Sequence, residues 1–147
     1  MHSAGLTRFG TALLALGVFA VSARADIQLP GGATVAKVDF ERHVMGVLGR
    51  FGCNSGSCHG SFQGKGGLRL SLFGYDPEKD YYTLTHDVEG RRINLANADA
   101  SLMLLKATGQ VQHGGAVRFT KDSWAYKLVR EWIAQGAPWQ KGGGDIV

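Results

Sequence analysis

Cysteine is scarce in this chain, with two in 147 residues. That is too few for a disulfide framework, so both belong to one local feature. Beyond residue 25 there is no internal repeat, no low-complexity segment and no run apolar enough to span a membrane. A large positive charge is missing too: once residues 1–25 are set aside the net charge is near +2, no footprint for nucleic acid, which would need a clustered basic face. Gly64-Lys65-Gly66 suggests a phosphate loop, but the G-x-x-x-x-G-K-[ST] spacing after a buried strand is absent, and nucleotide binding is excluded with it.

What is present begins with an export signal. Residues 1–25 carry Arg8, an apolar run from Phe9 to Ala20, and Ala23-Arg24-Ala25 as a small-residue cleavage pattern. The expected mature chain is periplasmic or otherwise exported, with no stable membrane span once the signal is removed. Its loss takes Arg8 and Arg24, so 16 basic residues fall to 14 against 12 acidic ones, a net charge near +2. The remaining 122 residues suit one domain with one modest core.

Residues 26–36, with Pro30-Gly31-Gly32, read as an irregular leader, and residues 140–147 as a flexible tail. From Asp39 the spacing of Phe40, Val44, Val47, Leu48 and Phe51 predicts a helix that runs into Cys53. A glycine-rich turn, 60–67, leads to alternating Leu68, Leu70 and Leu72, a strand pattern. Asp76-Pro77 starts a short helix, and RRINL (91–95) reads as a second short strand. Further helices are predicted from Asp99 to a stop at Gly109, and from Asp122 to Gly136-Ala137-Pro138.

The chemistry concentrates in Cys53-Asn54-Ser55-Gly56-Ser57-Cys58-His59. Covalent haem attachment needs two thiols for the two vinyl groups and an imidazole for the iron, usually as C-x-x-C-H. Here the spacing is two residues longer, and Asn54 to Ser57 are small enough to loop outward without moving either sulfur. A local Cys53–Cys58 disulfide is also geometrically possible, but leaves His59 unused. A structural zinc site wants four protein ligands and lacks the fourth. The glycines of 60–67 would let the backbone pass close to a flat ligand. For the far side of an iron the candidates are His43, His86, His113, Met45 and Met103. His43 reads as surface, Met45 as core and His86 as solvated. Met103 lies in an apolar run, whereas His113 sits in a glycine-flanked loop able to aim one side chain into a cleft.

Taken together, the stretches VDFERHVMGVLGRFGCNSGSCHGSFQGKGGLRLSLFGYDPEKDY, GRRINLANADASLMLLKATGQVQHGGAVRF and SWAYKLVREWIAQGAPW resemble a family of c-type cytochrome domains. These are widespread in exported proteins of planctomycete-type bacteria. The resemblance covers residues 37–139 and implies an all-α, small cytochrome c-like haem domain with minor short strands. It implies one covalent haem c on Cys53 and Cys58, with His59 as the proximal ligand. Relatives with the shorter motif carry a ligating methionine in a Met-Pro-Pro loop; here that loop reads Val111-Gln112-His113-Gly114-Gly115. His113 is therefore the expected distal ligand and Met103 the alternative. Bis-histidine ligation would give a lower potential than His/Met.

The expected function is single-electron transfer with redox partner proteins, not an enzymatic reaction. The alternatives are a haem-free binding or structural module stapled by Cys53–Cys58, and a haem enzyme or gas sensor with an open iron. The first and last helices are expected to pack together, Phe40, Val44 and Leu48 against Leu128, Trp132 and Ile133.

Overall fold

The Asp39 carboxylate accepts from Arg42 N (2.7 Å) and so caps the first helical element, while Asp39 N donates to His43 Nδ1 (2.9 Å). In the computed structural model, which describes residues 26–142, this element is a π-helical turn, Phe40–Val44, that runs straight into α1, Met45–Arg50. The predicted export signal lies outside the described residues, as does the tail from 143.

Helix α2, Pro77–Thr85, starts at Asp76, whose side chain accepts from Lys79 N. A 3-10 turn, Ala98–Ala100, precedes α3, Leu102–Ala107, and α4 spans Trp124–Ala134. Ser123 caps α4 through Tyr126 N. The molecule is thus small and mainly helical, with one minor sheet. That sheet corrects one expectation. The segment 26–36 is not irregular: β1, Ile27–Gln28, pairs antiparallel with β2, Thr34–Val35. Gly31 and Gly32 take positive φ at the tip, and Ile27 and Val35 are buried, with β1 packed on α4.

Two predicted strands do not form. Leu68 pairs only with Lys65 in an isolated bridge, and the chain beyond it bonds to the cysteine loop, Leu70 N to His59 O (2.8 Å) and Phe73 N to Asn54 O (3.0 Å). A tightly turned partner offers no ladder beyond these rungs, and Leu72 ends in a 3-10 turn, Leu72–Gly74, with its side chain exposed. Residues 91–95 are broken by Asn94, whose side chain accepts from Ala96 N and Asn97 N and makes a turn. The helix predicted from Asp99 is interrupted at Ser101, which is extended and fully buried with Oγ accepting from Asn94 N (2.9 Å).

The expected contact between first and last helices is present. Phe40 meets Trp132 at 5.4 Å between ring centres and Tyr81 of α2 edge-on at 5.2 Å. Val44, Leu48, Leu128 and Ile133 are buried in the same core. Gln135 then stitches the chain across its length, accepting from Val38 N (3.0 Å) and donating to Ala36 O (2.8 Å). No helix among the described residues is long and apolar enough to cross a membrane.

Candidate functional site

Helix α1 ends in a way that places Cys53. Gly52 takes φ +69°, Cys53 N bonds back to Leu48 O (2.8 Å) and Gly52 N to Gly49 O (3.0 Å). This is a Schellman closure, which turns the chain sharply at a residue that only glycine fills without strain. The following residues fold into a nest of turns, with Cys58 N on Ser55 O and His59 N on Cys53 O, both at 3.0 Å. Gly56 and Ser57 are exposed, though Ser57 also lines a cavity together with both thiols, and Asn54 is buried rather than looped out. Gly60 closes the nest: a Cβ there would stand 2.0 Å from Asn54 O.

Cys53, Cys58 and His59 line one cavity of about 470 Å³ with His113, Met103 and the glycines 66 and 67. That volume lies within the roughly 300–1,000 Å³ of ligand and cofactor sites. Apolar walls come from every helix, including Leu48, Leu84, Leu102 and Val129. Both thiols are half-buried and free of any disulfide, with Cys58 Sγ 4.0 Å from Ser57 Oγ. Burial pushes the Cys53 thiol up, partly opposed by the nearby Arg118 charge. Gly66 and Gly67 have open space where a Cβ would project, so their backbone lies bare at the cavity wall.

The two histidines are prepared alike. His59 Nδ1 lies 3.1 Å from Lys65 O and 3.2 Å from Leu68 O, and His113 Nδ1 lies 3.0 Å from Ala116 O. A carbonyl only accepts, so each Nδ1 carries a proton, and the neutral ring keeps its lone pair on Nε2. Burial, more than any neighbour, holds His59 below its ordinary pKa and favours that neutral form. Backbone carbonyls on the second nitrogen are the usual support of a metal-bound imidazole. The His59 and His113 rings are nearly parallel, 8° apart, with centres separated by 6.2 Å.

Of the other candidates, Met103 lines the cavity from α3, partly buried against the core. His43 accepts from Asp39 N and is half-buried, a capping group rather than the surface residue expected. Met45 packs under Gly74, where a Cβ would meet its Cε at 2.7 Å, in agreement with the core role. His86 is exposed and stacks on Tyr82, also as read. Among the described residues no group of three or more His, Cys, Asp or Glu could hold a metal ion by itself.

Two arginines escaped the sequence reading. Arg92 is 7% exposed and donates to Thr83 O and Gly67 O, each at 2.6 Å. Arg118 donates from Nε and Nη2 to Phe51 O and from Nη1 to Gly115 O (3.1 Å). Arg92 therefore fastens the loop that supports His59, and Arg118 the loop that carries His113. The Arg91-Arg92 pair and the Gly115–Arg118 segment show no periodic signal that would separate them from solvated arginines. Compared with family models, curated protein sequences and solved structures, the chain matches none of them.

Proposed function

We propose that the protein is an exported electron carrier with one covalently held haem, built as a cytochrome c-like domain. The observation that carries this reading is the pair of Nδ1-anchored imidazoles facing one cavity that both thiols line. Two imidazoles sharing one metal ion, each nitrogen at about 2.0–2.1 Å, have ring centres roughly 6 Å apart once ring size is added. The observed separation is 6.2 Å. With only two such ligands and no closed protein ligand set, the remaining positions suit a macrocycle that brings four nitrogens of its own.

In this reading Cys53 and Cys58 would hold the haem by thioether bonds, and His59 and His113 would bind its iron. The haem supplies reversible one-electron chemistry at iron. The chain fixes both imidazoles through backbone carbonyls, keeps water from the apolar walls and spans the site with elements from Val47 to Val129. The parallel ring of His113 and its tethered Nδ1 favour it over Met103 as the second residue that would bind the iron.

A pyridine haemochrome spectrum of protein exported with haem-attachment machinery tests the reading. A c-type signal lost in Cys53→Ala/Cys58→Ala is expected; no signal, or one that survives the double variant, sinks it. His113→Ala should convert a low-spin spectrum to high-spin, and an unchanged spectrum removes His113 as ligand.

A further inference from the structure

The cavity wall is unusual in its charge. Five cations line it, Lys65, Arg91, Arg92, Lys106 and Arg118, and not one aspartate or glutamate does. Apolar walls with charge of one sign call for an occupant with an apolar body and anionic groups. Arg92 is the sharpest case. Its Nη1 donates to Thr83 O and Asp87 O and its Nη2 to Gly67 O, which commits three of five N–H groups. It is buried, and the ion pairs among the described residues do not include it. Carbonyl dipoles hold its position, and the Asp87 carboxylate, close enough to favour its charge but not in an ion pair with it, offsets that charge only in part. Burial accordingly holds its pKa below the ordinary arginine value.

We propose that Arg92 is the anchor for a carboxylate of the bound group, through its uncommitted Nε–H and Nη2–H. This rests on the haem reading and extends it: the porphyrin's carboxylates would meet the cationic wall, and Arg92 would pair with one of them. The bidentate geometry of guanidinium and carboxylate fits those two adjacent donors. Binding would supply the direct ion pair that Asp87, acting at longer range, does not make.

The test uses the whole chain made without haem-attachment machinery, titrated with ferric protoporphyrin IX and separately with its dimethyl ester. Soret absorbance gives both affinities. The free dicarboxylate is expected to bind at least tenfold more tightly than the ester, with the preference retained at high salt because a buried pair is poorly screened. Arg92→Gln loosens the loop at Gly67 for both porphyrins, so the readout is the ratio: the dicarboxylate should lose about tenfold more affinity than the ester. Equal wild-type affinities would overturn the carboxylate anchor while leaving the two-histidine reading intact. A preference that vanishes in salt would transfer it to the exposed cations and overturn the role of Arg92. If neither porphyrin binds with a low-spin shift, the haem reading itself fails. The wild-type comparison needs no variant, so a misfolded Arg92→Gln does not blunt it.

Discussion

At the scale of single residues, two glycines do different jobs at one site. A Cβ on Gly115 would stand 2.8 Å from His113 Cε1 and 3.2 Å from Nε2, and its backbone is not in the left-handed region. Gly115→Ala should therefore act through the imidazole alone. In haem-loaded protein we expect a partial low-spin to high-spin change in the absorption spectrum, with stability altered by less than about 0.5 kcal/mol. Gly60 differs because its neighbour is the Asn54 carbonyl, which cannot swing away. Gly60→Ala should cost about 3 kcal/mol, the upper end of ordinary overpacking, in denaturant melts. Both glycines are plain in the sequence, but their neighbours are not. A seat for a ring and a crossing of two backbone turns are made by folding, and no spacing rule announces them.

At the scale of elements, three helices close by one device. Gly52, Gly109 and Gly136 all have positive φ, and the residue after each bonds back to Leu48, Leu105 and Trp132 carbonyls. Gly52→Ala is expected to lose about 1–2 kcal/mol, since a Cβ in that conformation is strained, and to lower the yield of attached haem by misplacing Cys53. Thermal melts and haemochrome yield check the two parts. Trp132 is fully buried where α4 meets Phe40 and Tyr81, so Trp132→Ala should cost about 3–5 kcal/mol. Helices with apolar stripes and glycine stops were legible in the sequence for this reason: their signals are local. The strand patterns at 68–72 and 91–95 misled because a strand needs a partner edge, and here the neighbours are a cysteine loop and an Asn94 turn. The β1–β2 hairpin was missed because two residues per strand carry no periodicity. The cysteines, His59 and His113 stood out by type and spacing; the carbonyls on their Nδ1 atoms depend on the folded course of 65–68 and 116.

Across the whole molecule, buried histidines set a pH dependence. His43 and His59 both lie below the ordinary histidine pKa, with burial the leading cause. The haem-free fold then binds fewer protons than the unfolded chain. Its stability from these groups is present above about pH 6.5 and is lost as pH falls through the folded values. Melting temperature should decline between about pH 7 and 5, and His43→Gln should flatten part of that slope. Melts of the haem-free protein across this range provide the check. The same whole-molecule view bears on Gln135 and its bonds to Ala36 and Val38. Contacts so distant along the chain carry a large loop-closure cost. A chain emerging amino end first exposes Cys53, Cys58 and His59 well before α4 exists to supply Val129 to the cavity wall. On the haem reading, an attachment enzyme acting before α4 packs would meet those thiols uncovered, and the final helix would then close over them. The order in which the groups appear along the chain is a timetable as well as a layout.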